Sequence, residues 1–254
     1  MKTASEPIFN VPPVVTMILA ALALIQAVRE FVLPEQSDLE LLAWFAFIPA
    51  RYDMTSLLEG AYPGGIAAAA WSFVTYALLH GDWVHLGLNA VWFLAFGTPV
   101  ARRFGTRRFV AFFAVTAAAG AAMHLATHSG DQQPMIGASA AISGCMAAAI
   151  RFVFQRHGPL GLLAGRDGDA YAVPAVPLGA SFRDPRIVAF LAVWFGLNLL
   201  FGAGPVTLVG EGQSVAWQAH VGGFLAGLLG FAAFDPIGRA PPADTDDHSA
   251  MEPD

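Results

Sequence analysis

The sequence predicts an all-α membrane protein, a bundle of six transmembrane helices with both termini on the cytoplasmic side. Three observations predict it: composition, six long apolar segments, and the placement of arginine. Of 254 residues, 56% are hydrophobic and only 13% charged, with a mean hydropathy of +0.56. A soluble domain of this size carries roughly a quarter charged residues, so the deficit points to a polytopic membrane chain.

Crossing the hydrocarbon core takes about 20 apolar residues. The first segment is 13–33, PVVTMILAALALIQAVREFVL. Its apolar run is too long for a signal peptide and ends in Arg29-Glu30, so it is expected to be retained as a span. The connection 34–82 holds LLAWFAFIPA and PGGIAAAAWSFVTYALL, apolar pieces too short or too broken to cross. Interfacial or re-entrant structure is expected there, where Trp and Tyr prefer to sit. The remaining spans are 83–100, 109–127, 135–154, 187–203 and 214–233. Together they make one domain over 1–240, followed by a disordered acidic tail at 241–254.

Arginine tests this topology. The connection between spans two and three holds Arg102, Arg103, Arg107 and Arg108, and that between four and five holds Arg151, Arg156, Arg166, Arg183 and Arg186. Lys2 precedes the first span and Arg239 follows the last. Only Arg29 and Arg51 fall on the opposite side, leaving 11 of 13 basic residues on one face. That asymmetry is the positive-inside pattern and places both termini in the cytoplasm.

Polar residues inside spans are costly, and each is a candidate for function. Span four starts on the outer side, so Ser139 lies about 6 Å in, at a rise of roughly 1.5 Å per residue. By the same rise His220 on span six lies about 9 Å in. His85 and Asn89, four residues apart on span two, share one helical face. Each has a plain alternative: Ser139 as a small packing residue, His220 as a structural histidine, Asn89 as a helix-joining amide. Their common depth favours a site. A serine hydroxyl becomes a nucleophile when a base takes its proton, and histidine is the commonest base. Asn89, His85 and the N–H groups opening span four would serve a developing oxyanion. No Asp or Glu lies inside spans two to six, so a Ser–His dyad is expected rather than a triad.

Other patterns carry less. GASAA lacks the second glycine of a nucleophile elbow, since position 141 is alanine. The histidines at 80, 85, 124 and 128 have no carboxylate or cysteine at ligand spacing, and one cysteine, Cys145, builds no metal or disulfide framework. No metal, no cofactor and no nucleic-acid partner is expected. Gly223 and Gly227 form a G-x-x-x-G three and seven residues after His220. Ala140, Gly144 and Ala148 form a matching small stripe on span four. Close packing of these two spans would hold Ser139 beside His220.

HGDWVHLGLNAVWFLAFG (80–97), GASAAISG (137–144) and AHVGGFLAG (219–227), in that order, resemble the rhomboid family of intramembrane serine proteases over roughly 70–233. The resemblance implies a rhomboid-type six-helix bundle around a water-filled cavity that opens outward. It implies Ser139 as nucleophile, His220 as base, and His85 and Asn89 at the oxyanion. Transmembrane proteins with a single span would be the substrates, reached from the lipid bilayer between spans two and five, where Phe93, Trp194 and Phe195 sit. Those three residues also fit ordinary lipid-facing bulk. The loop 204–213 would cap the site, and a bacterial inner membrane is the expected location. A rhomboid-like pseudoprotease that binds client helices without cleaving them is the rival reading, and a small transporter a further one.

The chain departs from the family pattern at four places. Ala140 follows the serine where glycine is common, and Ser72 follows Trp71 where arginine is common. Ala101 stands where an acidic residue is common. Ser143 occupies the position from which some relatives pack an aromatic ring on the histidine, leaving open what orients His220.

Overall fold

The computed structural model describes residues 11–160, 168–202 and 215–237. The expected cap at 204–213, the acidic tail at 241–254, and Lys2, Arg166 and Arg239 lie outside the described residues.

Helix α1 (Pro13–Phe31) begins on a proline, whose missing N–H costs nothing at the first helical position, and closes shortly before Pro34. Helix α2 (Glu35–Phe45) carries Glu35 and Asp38 in its first turn, where the helix dipole favours them. A 3-10 turn (Pro49–Tyr52), α3 (Met54–Glu59) and α4 (Gly65–Thr75) complete the first connection, with a second 3-10 turn at Tyr76–Leu78. Helix α5 (Trp83–Trp92) is capped by Asp82, whose carboxylate accepts the N–H of His85 at 2.7 Å. It runs through a π-helical turn (Phe93–Gly97) into α6 (Thr98–Phe104), making one continuous rod, Trp83–Phe104. There follow α7 (Thr106–Thr127), α8 (Ser139–Ala149), the short α9 (Leu178–Ser181), α10 (Pro185–Gly202) and α11 (Trp217–Phe234). Among the described residues the only β pairing is a single bridge between Phe47 and Met135.

By length and composition, Pro13–Phe31, Trp83–Phe104, Thr106–Thr127 and Trp217–Phe234 are able to cross a membrane. The chain is a multi-pass membrane protein. The apolar stretch of α10, Pro185–Leu200, is shorter, and α8 departs most from expectation. Where the sequence suggests a span over 135–154, the helix has 11 residues. At 1.5 Å per residue it is about 16 Å long, roughly half the hydrocarbon thickness. Its surroundings explain this. Every residue from Ala140 to Ala149 is buried in protein, so the backbone at its ends has no lipid to avoid. Met135 is held extended by a two-way backbone pairing with Phe47, at 2.8 and 3.1 Å.

Helix α8 is the axis of the core, and α7 and α11 lie directly against it. A Cβ added at Gly223 would fall 2.0 Å from the carbonyl oxygen of Ala140, and one at Gly227 2.4 Å from that of Gly144. The α8 and α11 backbones therefore touch, and only glycine permits it. A Cβ added at Gly144 would fall 2.5 Å from the Thr116 side chain of α7.

Arg29 and Arg51, the two arginines that the sequence sets apart from the other basic residues, are structural. Arg29 pairs with Asp38 at 2.6 Å and donates to the carbonyl of His80 at 2.5 Å, tying α1 to α2 and to the segment before α5. Arg51 is 2% exposed and donates to the carbonyls of Pro63 (3.0 Å) and Ala43. It thereby pins the connection between α2 and α4, close to where Ser72, bonded to the Tyr52 hydroxyl at 2.8 Å, replaces the arginine of the family pattern. At the other end of the bundle Arg103 holds Asp235 through two contacts of 2.9 Å and donates to the carbonyls of Tyr171 and Val173. That cluster fastens α6 to the end of α11 without an acid at Ala101. Phe93 and Trp194 are buried at 1% and 7%, which corrects the lipid-facing reading for both; Phe195 is exposed.

Gly223→Ala tests the backbone contact. Overpacking costs about 1–3 kcal/mol, so its unfolding midpoint in detergent falls by roughly 5 °C. Gly230→Ala, whose added methyl meets nothing within 4 Å, leaves the midpoint unchanged or higher.

Candidate active site

The segment leading into α8 places the serine. Gly137 has φ +118°, a conformation that side chains with a Cβ rarely adopt. A Cβ there would also sit 2.8 Å from Nε2 of His85 and 3.8 Å from Nδ2 of Asn89. The Gly137 N–H donates to the carbonyl of Tyr76 at 3.1 Å, and the Tyr76 hydroxyl donates to the carbonyl of Ala117 at 2.9 Å. Glycine thus lets the chain turn tightly against α5 and start α8 at Ser139, with no side-chain cap. The N–H groups of that first turn have no acceptor within the helix, and the dipole makes this end positive.

His220 stands in the first turn of α11, and its Nε2 lies 2.8 Å from Oγ of Ser139. The glycine contacts between α8 and α11 begin three residues further along, so they set this separation. The other ring nitrogen, Nδ1, is bonded to Oδ1 of Asn198 on α10. The Asn198 amide nitrogen donates to the carbonyl of Trp194, one turn back, at 2.8 Å. The Ser143 hydroxyl donates to the carbonyl of Ser139 at 2.7 Å and so is engaged within α8.

His85 and Asn89 reach the same place from α5. The Gly81 N–H points at Nδ1 of His85 at 3.4 Å, and Asn89 donates one amide hydrogen to the carbonyl of His85 at 3.1 Å. The second amide hydrogen of Asn89 stays available. His80 packs edge-on against His85, with ring centroids 5.1 Å apart. Burial, with His85 and Arg29 nearby, pushes the His80 pKa down to about 3, so its imidazole is neutral.

Ser139, His220, His85 and Asn89 all line one cavity of about 580 Å³. His124, His128 and Asp131, from the end of α7 and the loop after it, line it too. The sequence reading missed Asn198, Gly137 and Tyr76 as parts of this site. Asn198 had a signal, being the polar side chain of the otherwise apolar run at 187–203.

Fold and site together define a helical membrane protein with a serine–histidine pair at the start of a short buried helix, facing a polar cavity. The family model described as Rhomboid domain matches residues 67–234, about two thirds of the chain, and the chain belongs to the rhomboid family. The match opens within α4 and closes on the last residue of α11. No curated protein matches the chain.

Two separate penalties fall on Gly137→Ala: backbone strain of about 1–3 kcal/mol, and collision with the His85 ring. Adding His85→Ala removes only the collision. In a double-mutant cycle read by detergent unfolding, the pair therefore costs less than the sum of the single changes.

Proposed function

We propose that this chain is an intramembrane serine endopeptidase with a Ser139–His220 dyad. The observation that carries the reading is the 2.8 Å approach of Oγ to Nε2 inside a polar cavity, in a chain of the rhomboid family. His220 takes the proton of Ser139 as Oγ attacks a substrate peptide carbonyl. The tetrahedral oxyanion is met by the free N–H groups opening α8, by the second Nδ2 hydrogen of Asn89, and by His85. Because Nδ1 of His85 accepts from Gly81, the ring proton belongs on Nε2, which is therefore a donor. His220 then gives its proton to the leaving amine as the C–N bond breaks. Water, deprotonated by the same imidazole, hydrolyses the acyl-enzyme and restores Ser139.

The substrates are transmembrane proteins with a single span, cut in or near a helix weakened by small residues. The bundle has six membrane helices, the four long ones together with α10 and the short enclosed α8, and both termini are cytoplasmic. The cavity opens on the outer face of the cell's inner membrane. Eleven of 13 basic residues on the opposite face support that orientation.

A fluorophosphonate probe and a reporter transmembrane substrate, in detergent and in liposomes, test the proposal. Wild type is labelled and cleaves. Ser139→Ala and His220→Ala do neither, while keeping the wild-type circular dichroism spectrum. Asn89→Ala loses roughly 10²–10³ in kcat, the usual cost of one oxyanion donor. Wild type that neither labels nor cleaves overturns the enzyme reading in favour of a non-cleaving binder of membrane helices.

A further inference from the structure

We infer that Asn198 is the positioning residue of the catalytic imidazole: its side-chain oxygen accepts the Nδ1 proton of His220, turning a bare Nε2 lone pair toward Ser139. The inference rests on the serine-protease reading above.

The argument starts from the asparagine. An amide has one accepting and one donating end, and its orientation follows from what each end meets. One end of Asn198 faces the carbonyl oxygen of Trp194 at 2.8 Å, and a carbonyl only accepts. That end must be Nδ2. The other end, Oδ1, then faces Nδ1 of His220. Reversing the amide would set two acceptors against each other at Trp194 and give up the helix bond. With Oδ1 fixed as acceptor, Nδ1 of His220 must carry the ring proton. A neutral imidazole has one proton, so Nε2 is the lone pair and faces the Ser139 hydroxyl at 2.8 Å. The proton order needed for general-base catalysis is thus imposed by the Trp194 carbonyl on α10, three hydrogen bonds from the nucleophile.

Among the described residues, the side-chain partners of the His220 ring are Ser139 at Nε2 and Asn198 at Nδ1. Ser143 gives its hydroxyl to the carbonyl of Ser139, and spans two to six contain no carboxylate. Asn198 also spans two helices, since it is anchored on α10 while His220 sits on α11. It fixes the plane of the ring as well as its tautomer.

Two variants separate positioning from packing. Asn198→Leu keeps the volume and removes the acceptor, whereas Asn198→Asp keeps an acceptor. We expect Asn198→Leu to lose about 10²–10³ in kcat with KM within twofold, in the range of a lost general-base contribution. Asn198→Asp should return to within tenfold of wild-type kcat even though its part-buried carboxylate lowers the unfolding midpoint, and Asn198→Leu should keep the wild-type midpoint. Nitrogen-15 NMR of histidine-labelled protein reads the tautomer directly, without turnover. Wild-type His220 shows the Nδ1–H form, and Asn198→Leu shifts to a mixture. A wild-type Nε2–H form, or kcat in Asn198→Leu within twofold of wild type, overturns the inference. So does a loss of kcat with the tautomer unchanged. Wild type without labelling or cleavage sinks the protease reading instead, and the NMR result still decides the role of Asn198.

Discussion

The contact between the α8 and α11 backbones governs the rest of the molecule. Two helices carrying ordinary side chains pack with axes 8–10 Å apart. Here Gly223 lies on the carbonyl of Ala140 and Gly227 on Gly144, so both backbones come in closer. Lipid tails are as apolar as leucine and supply little drive for helix association, so intimate van der Waals fit must supply it. The same contact fixes rotation. Gly223 follows His220 by less than one turn, which leaves the imidazole one position along the interface from Ser139. Packing and chemistry are thus one geometric fact seen at two heights.

That axis helix can be short because others enclose it. Lined by α7 and α11, α8 ends inside protein, where its free N–H groups face a polar cavity instead of hydrocarbon. A serine at the first position of a fully spanning helix would lie at the headgroups. Here the helix starts inside the bundle, after an extended approach pinned to Phe47 and Tyr76. The enclosing shell is in turn held by buried arginines at both ends. Arg29 and Arg51 secure the connection between α1 and α5 and Arg103 the opposite end of the bundle, each bonded to carbonyls or to a carboxylate. A buried guanidinium stripped of those partners would be far costlier than none at all.

Much of this was legible in the sequence, for identifiable reasons. Ser139, His220, His85 and Asn89 could be grouped because hydropathy sets where each span begins, and the start sets depth. The glycine stripe could be read because small residues at four-residue spacing have few other uses in a membrane helix. Other features escaped because they depend on neighbours that no local pattern reveals. Twenty apolar residues at 135–154 look like a span, yet enclosure shortened the helix. Arg29 and Arg51 read as topological markers, although the fold uses them as ties. The π-helical turn at Phe93–Gly97 leaves no mark in hydropathy. Asn198 is the sharpest case, because one polar residue on a lipid-exposed helix matters only once its partner on α11 is known.

Asn198 also shows how the membrane shapes the choice of orienting group. In water-soluble serine enzymes a carboxylate fixes the histidine tautomer. Moving a carboxylate from water into a low-dielectric interior carries a penalty of several kcal/mol. Most of that penalty is avoided by a neutral amide, which offers the same accepting oxygen. An amide also has a donor end, and in α10 that end is spent on the carbonyl of Trp194, so the accepting end alone faces the ring. What the amide gives up is charge: it orients the imidazole but stabilises imidazolium only through its dipole. In the proposed mechanism the positive charge that forms on His220 is therefore balanced chiefly by the oxyanion appearing beside it. In that mechanism both charges arise and vanish together within one cavity, where the positive end of α8 favours the oxyanion.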